Sequence, residues 1–156
     1  MEDNTFINTN IPITYRDIQE VENKYHISLP EAYRNHLLKY NGGTPKREYF
    51  KTEEGAYWID CFLPLKSDNP QIFTFEDAFN DSKINPVILP EGLLPIAIDP
   101  GGNYYCISMG EGDYESIYFY KMDDYDEKDF DAALTFLSSS LDDFINNMVD
   151  ESEIES

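Results

Sequence analysis

The sequence predicts an α+β domain: a central, mostly antiparallel β-sheet with N-terminal and C-terminal helices packed against it. Three observations predict this. Apolar residues recur at helical spacing near the two ends of the chain. Between those ends, β-branched and aromatic residues crowd into short runs divided by glycine-containing joints. At 156 residues the chain suits one domain, and a domain of that size buries roughly 70% of the surface its unfolded chain exposes. Residues 14–148 are expected to form that domain, after a flexible leader over 1–13 and before an acidic flexible tail over 149–156.

The first helix signal begins at Thr14, whose hydroxyl can cap a first turn, with Asp17 three positions on. Ile18, Val21 and Tyr25 share one face, and the helix breaks around His26-Ile27-Ser28. A second helix starts at Leu29-Pro30-Glu31. Proline suits the first helical position, and Glu31 lies near the positive end of the dipole. Tyr33, Leu37 and Tyr40 carry its apolar face, and Asn41-Gly42-Gly43 is expected to end it through a glycine cap. Glu48–Lys51 and Tyr57–Leu63 then read as strands around a charged turn at Glu53-Glu54-Gly55. Residues 70–83 read either as a connection or as a short helix capped by Thr74. Leu94–Ile98, Tyr104–Met109 and Ser116–Met122 read as an antiparallel meander joined by short glycine-containing turns. Leu137, Leu141, Phe144, Ile145 and Met148 form the apolar stripe of a last helix. The helices are expected on one face of the sheet.

Charge narrows the partners. The chain has 31 acidic and 11 basic side chains, a formal net charge of −20. Such a polyanion is repelled by nucleic-acid phosphates and anionic lipid, and attracts basic proteins. Solubility alone is the competing reading of the same charge. Residues 122–156 hold 12 of the acids and one base, Lys128. No apolar run is long enough to span a bilayer and no secretory signal opens the chain, so a cytoplasmic protein is expected.

The motifs argue against catalysis and cofactors. Asp99-Pro100-Gly101-Gly102-Asn103 lies between two apolar runs. A Walker loop would continue with lysine and a hydroxyl residue, and a dinucleotide fingerprint would open a helix; here Tyr104 and Tyr105 open a strand. A turn is the stronger reading. Cys61 and Cys106 form no CxxC and no Cys/His cluster, which gives zinc no support and predicts buried thiols. His26 and His36 have no adjacent nucleophile. The run Asp123–Asp131 raises calcium, but Lys128 and Asp129 occupy the fifth and sixth positions of the loop that would start at Asp124. It reads instead as a solvated charged loop. No catalytic, cofactor or metal residue is assigned.

Several segments taken together resemble the SUKH superfamily, and within it the Smi/Knr-type subfamily. They are Ile18-x-x-Val21-Glu22, Leu29-Pro30-x-x-Tyr33-x-x-x-Leu37, Asn41-Gly42-Gly43, Leu94–Asp99 followed by Gly101–Ile107, Ile117–Tyr120 and Phe136–Ile145. The resemblance covers roughly residues 14–148; segment 44–90 aligns with little of it. It implies helices packed on a central sheet, with Phe136–Ile145 as a closing helix. It further implies a non-catalytic binding protein, because bacterial members include immunity proteins that neutralise polymorphic toxins and fungal members are regulatory scaffolds.

The resemblance and the charge together lead to an immunity protein for a cognate basic toxin domain, a nuclease being one candidate. The expected contact surface is Asp123, Asp124, Asp126, Glu127, Asp129 and Asp131, with Glu111, Asp113 and Tyr114 on a nearby turn. A regulatory scaffold without a toxin and a small-molecule sensor with an aromatic pocket are the alternatives. An open sheet edge could pair two copies, but the sequence does not show which edge is open.

Overall fold

The computed structural model describes residues 2–154 and shows the expected α+β architecture. Four α-helices, α1 (Tyr15–Tyr25), α2 (Glu31–Lys39), α3 (Phe75–Phe79) and α4 (Leu141–Asn146), accompany nine strands. β1 (Phe6–Ile7) pairs with β2 (Thr44–Pro45), and β3 (Tyr49–Thr52) forms a hairpin with β4 (Gly55–Trp58). The main sheet contains β5 (Cys61–Phe62), β6 (Leu93–Ile98), β7 (Tyr104–Ser108), β8 (Ile117–Tyr120) and β9 (Leu134–Ser138). They lie in chain order and every neighbour is antiparallel.

Local chemistry explains most boundaries. Thr14 and Asp17 form a full capping box on α1, and His26 ends that helix in the left-handed conformation at φ 56°. Thr74 and Asp77 repeat the same box on α3, which resolves the ambiguous 70–83 segment as a short helix. Pro30 is the N-cap of α2 and offers no side-chain oxygen. Its first amides are satisfied from afar: Glu31 N–H donates to the Tyr114 hydroxyl at 3.2 Å, and Ala32 N–H donates to Glu115 Oε2 at 2.8 Å.

Four expectations need correction. First, α2 ends at Lys39 and Tyr40 is extended, so the glycine pair is not a helix cap. Its positive φ values accompany close passage instead. A Cβ on Gly42 would lie 2.8 Å from Pro64 N, and one on Gly43 would lie 2.6 Å from the Ile7 carbonyl. Second, the expected strand 57–63 divides between two sheets. Ile59 N–H donates to Glu48 O while Asp60 N–H donates to Ile98 O, so the chain changes partners between those residues. Third, the last helix starts later than its apolar stripe. Ser140 caps α4 by accepting from Asp143 N–H, and Leu137 lies in β9, where pairing with β8 outcompetes local helix formation. Phe136 is likewise in β9 and not in a closing helix.

Fourth, the opening residues are packed. Phe6 and Ile13 are buried in the core, and buried Asn4 donates through Nδ2 to Arg47 O and Ile145 O. Arg47 then donates to Met148 O, Asn146 O and Glu2 O. Of the expected tail, Val149 bridges to Tyr49 and Glu151–Glu153 form a 3-10 turn; 155–156 lie outside the described residues.

Every residue of β7 is buried. Successive strand residues face opposite sides, so both faces are covered, unlike the expected single helical face. On one side the Tyr105 ring packs 5.7 Å from Phe144 of α4 and 5.1 Å from Phe119. On the other, Cys106 and Tyr104 lie within electrostatic reach of Lys83 and Asp81, in the π-helical turn Asn80–Ile84 that continues α3.

Asn41, only 3% exposed, fastens the junction after α2. Its Nδ2 donates to Ile11 O and Lys66 O, and its Oδ1 accepts from Leu65 N–H, each at 2.8 Å. Asn41→Ala leaves three backbone groups without that partner and is expected to cost about 3 kcal/mol, read from urea unfolding. A second expectation concerns His36, which burial pushes down to about 4 among the Phe6, Phe62 and Tyr40 rings, with a smaller push from Lys39. The unfolded imidazole gains its proton near pH 6.5 and the folded one does not. Stability therefore falls from pH 6.5 to about 4 through this group, and His36→Leu is expected to flatten that slope in thermal melts.

Candidate functional site

The turn between β7 and β8 builds a fixed carboxylate. Ser108 Oγ donates to Asp113 Oδ1 and the Tyr118 hydroxyl donates to Asp113 Oδ2, both at 2.6 Å. Those bonds to the charged form hold the Asp113 carboxyl below its ordinary range. The same carboxylate and partial burial push the Tyr118 phenol up to about 12. Asp113 opens onto a groove of about 550 Å³ that also receives Asp131, Tyr118, Leu134 and Phe136. Phe136 is 56% exposed and meets Tyr118 edge-on at 5.8 Å.

A second groove, about 610 Å³, contains Tyr57, Trp58, Asp99, Lys121, Asp124 and Thr135. Trp58 is 44% exposed and stacks on Tyr49 at 5.7 Å. The glycine pair beside it is a turn that closes on itself. Asp99 Oδ1 accepts from Gly101 N–H and Asn103 N–H, Asp99 Oδ2 accepts from Asn103 Nδ2, and Gly102 N–H donates to Asp99 O. Those amides are consumed by the loop's own aspartate, and a carboxylate occupies the place where a phosphate-binding loop needs free donors.

The expected contact residues divide among several places. Asp123 and Asp124 belong to the 3-10 turn Met122–Asp124, Asp131 to the 3-10 turn Phe130–Ala133, and Asp126, Glu127 and Asp129 to the stretch between them. All six are exposed, as is Glu111. Asp113 and Asp131 meet at the first groove, and Asp124 lines the second. Tyr114 points elsewhere: its hydroxyl serves α2, and it borders a different hollow with His26 and Phe130. Among the described residues, no three His, Cys, Asp or Glu side chains are placed to hold a metal ion. Cys61 and Cys106 are free thiols; burial pushes Cys61 up to about 11 and Cys106 higher still.

The model of the SMI1 / KNR4 family (SUKH-1) matches residues 12–147. The chain belongs to the SMI1/KNR4 (SUKH-1) family. The matched span takes in all four helices, every strand except β1, and both grooves. The chain is also similar to the SPbeta prophage-derived uncharacterized protein YokK of Bacillus subtilis strain 168. The two are 29% identical over 160 residues, covering 93% of this chain and 77% of that protein.

Sequence reasoning did not single out Phe136, the aromatic wall of the first groove, because the family resemblance assigned it to a closing helix. Trp58 was legible only as one of many aromatics. The Asp113–Tyr118 bond yields a direct expectation. In Asp113→Asn the phenol loses its charged acceptor, so the Tyr118 pKa is expected to fall from about 12 toward about 10, measured by ultraviolet titration. The stability Asp113 contributes as a carboxylate is present at neutral pH and lost as pH falls through its depressed pKa; the wild-type and Asp113→Asn acid unfolding curves are expected to converge there.

Proposed function

We propose that this SUKH-1 protein is a non-catalytic, cytoplasmic immunity protein that neutralises a basic toxin domain by direct binding. The observation that supports it most is an unneutralised acidic surface. Asp123, Asp124, Asp126, Glu127, Asp129 and Asp131 are exposed, and none takes part in an ion pair among the described residues. The four ion pairs there each use a residue of α1 instead. Carboxylates left free in this way cost folding stability through mutual repulsion, and they steer a cationic partner at long range. Membership of a family that includes immunity proteins supplies the kind of partner; the charge supplies its sign.

The test starts with the toxin domain encoded beside this gene. Co-expression is expected to protect cells from it. Stopped-flow association is expected to slow by about tenfold or more when the six acids become lysines, and to lose its salt dependence. An unchanged rate moves the contact surface elsewhere. Absence of a neighbouring toxin, with no protection, favours a regulatory scaffold.

A further inference from the structure

The main sheet has one open edge, and two grooves flank it. β5, at one side, is already engaged: Phe62 N–H donates to Gly43 O at 2.8 Å. β9, at the other side, pairs only with β8. Lys121 N–H donates to the Ala133 carbonyl, and antiparallel partners alternate direction. The backbone groups of Thr135 therefore turn toward Phe119, while the Leu134 carbonyl and both backbone groups of Phe136 turn off the edge. Leu134 N–H closes the preceding 3-10 turn by donating to Asp131 O; among the described residues, the Leu134 carbonyl and the backbone groups of Phe136 take part in no backbone bond outside the ladders. Natural edges are commonly blunted by charge or proline; Leu134-Thr135-Phe136 has neither. A bulge at Leu137, where Ser138 pairs with Ile117 and Phe136 with Tyr118, limits the open stretch to these three residues.

We propose that the β9 edge receives an extended, cationic segment of the partner protein as an added strand. Alternate positions of β9 face different grooves: Leu134 and Phe136 face the one holding Asp113 and Asp131, and Thr135 faces the one holding Trp58, Asp99 and Asp124. An added strand sends its own side chains alternately to the same two sides. Its main chain bonds to the Leu134 carbonyl and to both backbone groups of Phe136, and its side chains enter two grooves that hold carboxylates and aromatic rings, as strand addition requires. Among the described residues, Lys121 is the single base lining either groove. Arginine or lysine therefore fits both, through ion pairing and ring stacking. Charge selects against a second copy, because it would bring another −20 to an edge bordered by Asp113 and Asp131. This inference rests on the toxin-binding reading and specifies its contact.

The test uses the full chain labelled with ¹⁵N and an eight-residue peptide of alternating arginine and valine. The control is the same peptide N-methylated at alternate residues, which keeps charge and removes strand donors. The expected result is saturable shifts and slowed exchange at the Phe136 amide, at least tenfold weaker with the control. Phe136→Lys, at an exposed position, is expected to abolish the response. Equal shifts from both peptides, confined to 123–131, would overturn strand addition while leaving charge-steered toxin binding standing. No binding of either peptide also overturns strand addition, and toxin protection is then judged by the co-expression assay alone. Concentration-dependent protection of Phe136 without peptide would assign the edge to a second copy and overturn the proposal.

Discussion

The constraint on which the rest depends is the desolvation of β7. A strand with all five residues out of water must hydrogen-bond on both edges and be covered on both faces. β6 and β8 supply the edges. The faces need two separate pieces of chain: α4 on the Tyr105 side, and the π-helical turn after α3 on the Cys106 side. This explains why the segment least like anything recognisable in the sequence, between the second helix and the meander, is packed structure. Ser82 shows how it is held: its hydroxyl donates to Ala78 O, and its carbonyl accepts from both Ile88 and Leu89.

Most of the fold was legible because its signals are local. Thr14 and Asp17 cap their own helix, and the meander turns carry their own glycines. What was not legible depends on distant partners. The burial of Asn4 needs Arg47 and Ile145; the split at Ile59–Asp60 needs two sheets; the strand at Leu134–Ser138 needs the exposed flank of β8. A helical stripe through Leu137 and Leu141 is a fair reading of spacing alone. Only the available edge turns Leu137 into a bulged strand residue.

The candidate surface was legible in its charge and not in its shape. Six exposed acids could be read from composition. That Asp113 and Asp131 share a groove while Tyr114 serves α2 could not, since these relations span the sheet and the first helix pair. The most ordered carboxylate, Asp113, is recognisable only once Ser108 and Tyr118 are seen to converge on it.

Arg47 carries a consequence for how the molecule is made. One guanidinium ties Glu2 to Asn146 and Met148, so the first and last parts of the described chain close on a residue a third of the way along. Contacts this remote in sequence form only when all participants are present. During synthesis the meander and the first two helices can emerge and collapse, but the core stays open on the Tyr105 side until the final helix leaves the ribosome. The nascent chain therefore exposes an aromatic surface on the Tyr105 side until α4 has emerged to cover it.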